Sequence, residues 1–248
     1  MNILSTTLLS SLLLISCNKI DEGKMMRRFA FAKIGTKTNL VEIEKATRWI
    51  KTNNPEGIID FEYYELDTIQ FVLLDMKSNY DFAATQKLIS NMAQENAPVE
   101  AISDLFTNAY KPIERIYKLE QKKAYSASKG QLIPITRNSK KRFTLTLEIV
   151  NNQQLAQEYK EVHDIGMAWT EITQNIKTVG IHEMEIYMLG YRAFLIMDAK
   201  PNFTWEKDGE IWSTLPREKE WQSHVAKFQK TNPDSKAAEK WAEMDLIK

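Results

Sequence analysis

Tyr159 and His163 stand four residues apart, in a segment whose apolar residues recur at helical spacing. On a helix that spacing puts a phenol and an imidazole on one face. Histidine has an unperturbed pKa of about 6.5, so an imidazole can accept or give a proton near neutrality. The pair is therefore a candidate for general acid–base chemistry, a contribution of about 10²- to 10⁴-fold in rate. By spacing alone the two side chains could equally be packed core groups on the inner face of an amphipathic helix. The other candidates are fewer. Trp221 and His224 are three apart, so a second helix would present them together. His182 opens a strand and reads as a surface or edge residue, and Trp169 as an anchor between helix and sheet. No Cys/His cluster with metal spacing and no glycine-rich phosphate loop occurs, so neither metal nor cofactor is expected.

The elements that must position these residues come from a repeat. Gly57, Ile58, Glu62, Tyr64, Leu66, Phe71, Asp75, Lys77 and Asn79 recur, at a constant offset of 123, as Gly180, Ile181, Glu185, Tyr187, Leu189, Phe194, Asp198, Lys200 and Asn202. Upstream, Arg28-Phe29 matches Arg142-Phe143 at an offset of 114, so the first copy is nine residues shorter before its glycine. An ungapped match of this length marks two copies of one structural unit. In the second copy Phe143, Leu145, Leu147 and Ile149 alternate with polar residues, as a half-buried strand does. Asn151 or Asn152 can cap a helix carrying Leu155, Tyr159, Val162, Trp169, Ile172, Ile176 and Val179, and Gly180 can end it. Strands at about 183–189 and 193–199, a helix at about 218–229 and a last strand near 241–247 follow. The order β-α-β-β-α-β is ferredoxin-like. The expected fold class is α+β: tandem ferredoxin-like modules that pair internally as a pseudo-dimer, each covering the other's open sheet face. The expected divisions are 25–120 for the first module, 121–140 for a Lys-, Ser- and Gly-bearing linker, and 141–248 for the second. The first module contains no histidine. It is expected to serve as an inert partner of the second.

Composition bounds the partners. The 33 basic and 33 acidic residues cancel, which argues against nucleic acid or an anionic surface. A run rich in Leu over 8–15 is too short to span a bilayer and reads as the apolar part of an export signal. It ends in Leu14-Ile15-Ser16-Cys17, which resembles a bacterial lipobox. Cys17 is the only cysteine, so it cannot staple the fold. The expectation is a signal peptide over 1–17, lipidation at Cys17, a tether over 18–24, and a periplasmic or outer-membrane lipoprotein held by lipid alone. No Lys or Arg precedes the run, and a start at Met25 or Met26 would instead make the protein cytoplasmic.

From Lys141 onward the chain resembles the L-rhamnose mutarotase family, and within it the branch described as L-fucose mutarotases. The stretches that carry this are Glu158-Tyr159-Lys160-Glu161-Val162-His163, Ala168-Trp169-Thr170-Glu171-Ile172 and Val179 through Tyr187. Further on come Thr214-Leu215-Pro216-Arg217, Glu220-Trp221 and Phe228-Gln229. The resemblance implies a dimeric α/β barrel that interconverts the α and β anomers of a deoxy-sugar. It implies His163 as the proton-transfer histidine, Tyr159 as its neighbouring tyrosine, and Trp221 as the first of a sugar-binding Trp pair. Gln222 replaces the second Trp of that pair, and Met184 replaces a strand tyrosine that contacts sugar. These departures, with a longer His163–Trp169 spacing, look like the fucose branch. Trp221 then reads as a flat apolar platform for a sugar, or as plain core. His224 can hydrogen-bond a sugar hydroxyl. A monosaccharide is the expected ligand, and a further homodimer is possible. Two other readings stand beside this one: a module that binds sugar without turning it over, and another dimeric-barrel enzyme of the haem-degrading or small monooxygenase type.

Overall fold

The computed structural model describes residues 25–35, 37, 39–106, 111–136, 139–230 and 240–248. Cys17, the expected signal and the tether lie outside the described residues. Among those described, no helix is long and apolar enough to cross a membrane.

The first half runs β1 (Met25–Ile34), α1 (Leu40–Asn53), β2 (Ile58–Leu66), β3 (Ile69–Lys77), α2 (Phe82–Glu95), α3 (Ala97–Ser103), β4 (Glu114–Lys118) and β5 (Gln131–Pro134). The second runs β6 (Lys141–Glu148), α4 (Gln153–Val162), α5 (Thr170–Thr178), β7 (Ile181–Leu189), β8 (Arg192–Ala199), α6 (Glu210–Thr214), α7 (Glu218–Ala226), β9 (Ala242–Glu243) and β10 (Asp245–Ile247). The architecture is α+β, with helices over antiparallel sheets. Gly57 and Gly180, matched in the repeat, both adopt positive φ ahead of β2 and β7. A side chain there would collide with Tyr80 and Lys200 respectively.

Two five-stranded sheets form, in the orders β10-β2-β3-β1-β5 and β4-β7-β8-β6-β9. Each closes its central three strands within one half and takes an edge strand from the other. β4, from the first half, pairs with β7, and β10, from the end of the chain, pairs with β2. Two strands are thus exchanged between the expected divisions 25–120 and 141–248. The segment 121–140 likewise differs from a plain linker, because its β5 pairs with β1 over Met25–Arg28.

Strand alternation sends each sheet's residues to two faces. On the outer face of the first sheet, Phe29, Phe31, Phe61, Val72 and Leu74 pack under α1–α3. On the outer face of the second, Leu145, Leu147, Met184, Ile186 and Leu195 pack under α4, α5 and α7. A third apolar cluster draws Ala30, Tyr64, Phe71 and Leu73 from one sheet and Tyr187, Phe194 and Ile196 from the other. Phe71 and Phe194, counterparts in the repeat, stack on each other with centroids 4.8 Å apart and planes 9° off parallel.

The charged residues of the repeat meet at the same place. Arg28 makes a bidentate pair with Asp75 at 2.7 Å and lies 3.6 Å from Glu185. Its counterpart Arg142 makes a bidentate pair with Asp198 at 2.6 Å and bonds Glu62. Each arginine therefore holds an aspartate of its own half and a glutamate of the other. Tyr187 donates to Glu185 at 2.6 Å, and Gln131 donates to it at 2.8 Å. Burial alone would raise the Glu185 carboxyl, but the Arg28 guanidinium and Lys118 hold it below its usual range. Recurrence of Glu62/Glu185 and Tyr64/Tyr187 thus reflects the joint between the sheets.

Candidate active site

The helix expected from Asn152 to Val179 is two helices. Asn152 caps α4 by accepting from the Leu155 amide at 3.0 Å. Ala156 and Tyr159 form its buried face, and α4 stops at His163, whose amide bonds the Lys160 carbonyl. Asp164 then accepts from the Ile165 amide at 2.7 Å, and Gly166 takes φ +75°, which turns the chain before α5. Apolar periodicity runs through this turn because both helices bury the same face. The period alone could not show the break.

The break puts His163 at a helix C-terminus, where carbonyls lack amide partners. Its Nδ1 lies 2.7 Å from the Tyr159 carbonyl oxygen. A carbonyl only accepts, so Nδ1 carries the proton and Nε2 keeps its lone pair. The side chain is 7% exposed. Burial is the main cause that lowers its pKa to about 4; the bond to Tyr159 opposes this and the charge on His224 adds to it. At neutral pH His163 is therefore an uncharged base with Nε2 free. Tyr159 packs against it with centroids 4.4 Å apart, and burial pushes its phenol well above the usual value. Tyr159 is a neutral hydroxyl donor throughout the physiological range.

Helix α7 supplies the opposite wall. Its first turn is anchored through Glu218, which is 3% exposed and accepts from Asn175 of α5 at 2.9 Å and Trp212 at 2.8 Å. Asn175 also donates to the Pro216 carbonyl at 2.8 Å. With α7 fixed to α5, Trp221 reaches His163 at 5.7 Å between centroids, edge to face. Trp169 packs on Trp221 at 5.3 Å and on His224 at 5.7 Å, so it is part of this cluster and not a simple anchor. The Arg217 guanidinium lies 4.0 Å above Trp169 and is held by Glu171 and Glu220. Arg217 also lines an open cleft of about 410 Å³ with Ser213, Leu215 and Glu220. Tyr159, His163 and Trp221 do not line that cleft, which separates it from the acid–base pair.

Among the residues expected from the sequence, Tyr159, His163, Trp221 and His224 come together. Met184 is buried on β7 in the same apolar cluster as Tyr159 and Trp221. Gln222 is exposed on α7, and His182 is exposed on its strand. One residue was missed. Tyr117, on the exchanged strand β4, meets His163 edge to face at 6.0 Å. Burial pushes its phenol up to about 12. Nothing in local spacing connects Tyr117 to a residue 46 positions later. The recurrence of a last strand in both halves was the only available hint.

A sequence model of the L-rhamnose mutarotase family matches residues 142–247. A UPF0734 protein of Dictyostelium discoideum is 31% identical over 111 residues, covering 43% of this chain and 87% of that protein. An L-fucose mutarotase of Xanthomonas campestris is 27% identical over 109 residues, covering 44% of this chain and 87% of its own. The family match falls on the half that carries Tyr159, His163, Trp169 and Trp221. Through that C-terminal half, the chain belongs to the L-rhamnose mutarotase family.

Proposed function

We propose that the C-terminal half is an aldose mutarotase that interconverts the anomers of a 6-deoxy-hexose, with L-fucose the first choice and L-rhamnose the second. The observation that carries this is the 2.7 Å contact between His163 Nδ1 and the Tyr159 carbonyl oxygen. Nδ1 is thereby committed, so Nε2 is a bare, neutral acceptor in an aromatic enclosure. Mutarotation begins when a base removes the anomeric hydroxyl proton while the ring oxygen is protonated. The ring opens to the aldehyde, turns about its C1–C2 bond and recloses on the other face. His163 Nε2 takes the first proton, and the Tyr159 hydroxyl hydrogen-bonds the oxygen where charge develops. Neither step calls for a metal or a redox cofactor. Trp221 and Trp169 offer flat apolar surface for the C–H face of the sugar.

The first half serves in this reading as the internal counterpart of a dimer partner: the two sheets close a barrel-like pair, and β4 completes the second sheet. Export as a lipoprotein through Cys17 belongs to the same proposal, and places the reaction outside the cytoplasm. A non-catalytic sugar-binding module is the second reading, favoured by the same Trp169–Trp221 wall. Exchange between the anomeric proton signals of L-fucose and of L-rhamnose, followed by NMR with wild type and His163→Ala, separates them. The enzyme accelerates exchange and the variant loses the acceleration. Saturable binding without acceleration would leave the binding module, and neither effect would remove both sugar readings.

A further inference from the structure

Ring opening needs two proton movements, and His163 accounts for one. The second proton must reach the ring oxygen from a group that both donates and is restored. Four titratable groups meet in this cluster: Tyr117 from β4, Tyr159 and His163 from α4 and its cap, and His224 from α7. The two phenols are buried and their acidity is suppressed. They can give hydrogen bonds, but full loss of a proton would leave a phenolate in an apolar layer.

His224 differs from them in placement. The rings of Tyr159, His163, Trp221, His224 and Phe228 form a closed circuit of contacts, each centroid between 4.4 and 6.2 Å from the next. The two imidazoles flank one indole: His163 lies 5.7 Å from Trp221 and His224 lies 5.8 Å from it. His224 is half-buried, whereas His163 is almost wholly covered. No hydrogen bond from a described residue occupies either His224 nitrogen, although His163 spends one nitrogen on its own helix. Trp169, 5.7 Å away, and Trp221 hold the His224 ring by packing alone, which leaves both nitrogens to a ligand.

We propose that His224 is the second proton-transfer residue of this site, giving a proton to the ring oxygen while His163 takes the anomeric one. The inference rests on the mutarotase reading. As the bond between C1 and the ring oxygen breaks, its electron pair goes to that oxygen, which binds the proton from His224. The O1–H proton goes to His163 Nε2, and its bonding pair makes the aldehyde carbonyl. Reclosure runs both transfers backwards on the opposite face, so each histidine ends in its starting state. No oxidant, reductant or further reactant is needed.

The test compares anomer exchange of L-fucose, or of L-rhamnose if that is the sugar turned over, by wild type, His224→Phe, His224→Gln and His224→Gly. Circular dichroism selects the folded variants. In His224→Phe the ring packing survives and proton transfer does not, so kcat should fall about 100-fold with KM within roughly threefold. Added imidazole should restore exchange in His224→Gly and not in His224→Phe. Wild-type kcat retained in folded His224→Phe or His224→Gln overturns the assignment, as does a rise in KM at constant kcat, which would make His224 a binding residue. Failure of the wild type itself to accelerate either sugar would sink the mutarotase reading, an outcome distinct from failure of the variants.

Discussion

In the first half, α1 turns Ile43, Ala46, Thr47 and Ile50 inward, and α3 closes over them with Val99 and Ile102, both fully buried. In the second, α4 turns Ala156, Tyr159 and His163 inward, and the facing wall is Trp169, Trp221 and His224. The sheets below are laid out alike, strand for strand. The joint between them is alike too, with each arginine bridging an aspartate and a glutamate. One scaffold thus carries two helical layers, one an apolar plug and the other a cluster of ionisable rings. What both halves retain is what the shared joint requires. The candidate acid–base residues belong to the layer only one half elaborates. Yet the plugged half is not a bystander, because its strand β4 brings Tyr117 to His163.

The sharpest way to break this comparison is to disable each layer in turn. His163→Ala should lower anomer exchange by about 10³-fold, near 4 kcal/mol in barrier. Thr47→Val, at a buried hydroxyl without a partner among the described residues, should leave the rate unchanged. A rate loss in Thr47→Val would show that the first layer takes part in the chemistry. The joint should respond symmetrically instead. Arg28→Met and Arg142→Met each strand buried carboxylates, and each should cost about 3–5 kcal/mol in urea unfolding. Markedly unequal losses would mean that the two bridges are not equivalent.

Acid should separate the halves next. The His163 pKa is lowered from 6.5 to about 4 in the folded protein, chiefly by burial. Between those values the unfolded chain binds the proton and the folded one resists it, so stability rises with pH across the window. The loss on going from neutrality to pH 4 should be on the order of 3 kcal/mol from this residue, and His163→Leu should remove that part of the slope. An unchanged slope in the variant would show that burial does not depress this imidazole. Tyr117→Leu should slow exchange roughly tenfold by loosening the His163 ring, a loss typical of one misplaced positioning contact. An unaltered rate would return the first half to a purely structural role. The smallest effect belongs to Gln222→Ala, whose side chain is exposed, and exchange should change by less than about twofold.

Much of this was legible in the chain itself. Strand alternation at Phe143–Ile149, the glycines at 57 and 180, and the constant offset of the repeat foretold the elements and their order. Tyr159 and His163 could be chosen because helical spacing places side chains on a shared face, and His224 because it shares a face with Trp221, which the resemblance nominated. Gln222 could be nominated only through resemblance, and the structure leaves it outside the cluster. Trp169 was underrated because a helix assumed to be continuous hid the turn at Gly166. The division at 120 and the linker over 121–140 were drawn from composition, which is blind to strand pairing.

Local pattern determined which segments are strands and helices and which of their faces are apolar, because backbone geometry repeats every two or 3.6 residues. It also determined that the two halves are built alike. It could not decide which sheet receives β4 and β10, since an edge strand presents the same hydrogen-bonding groups to either neighbour. Nor could it decide that Arg28 would meet Glu185 and Arg142 meet Glu62, since burial and partner choice are set by packing across 80 residues or more. Only the folded chain brings Tyr117 to His163 and commits the histidine's Nδ1 to the Tyr159 carbonyl, because a helix has to end there for that carbonyl to be free.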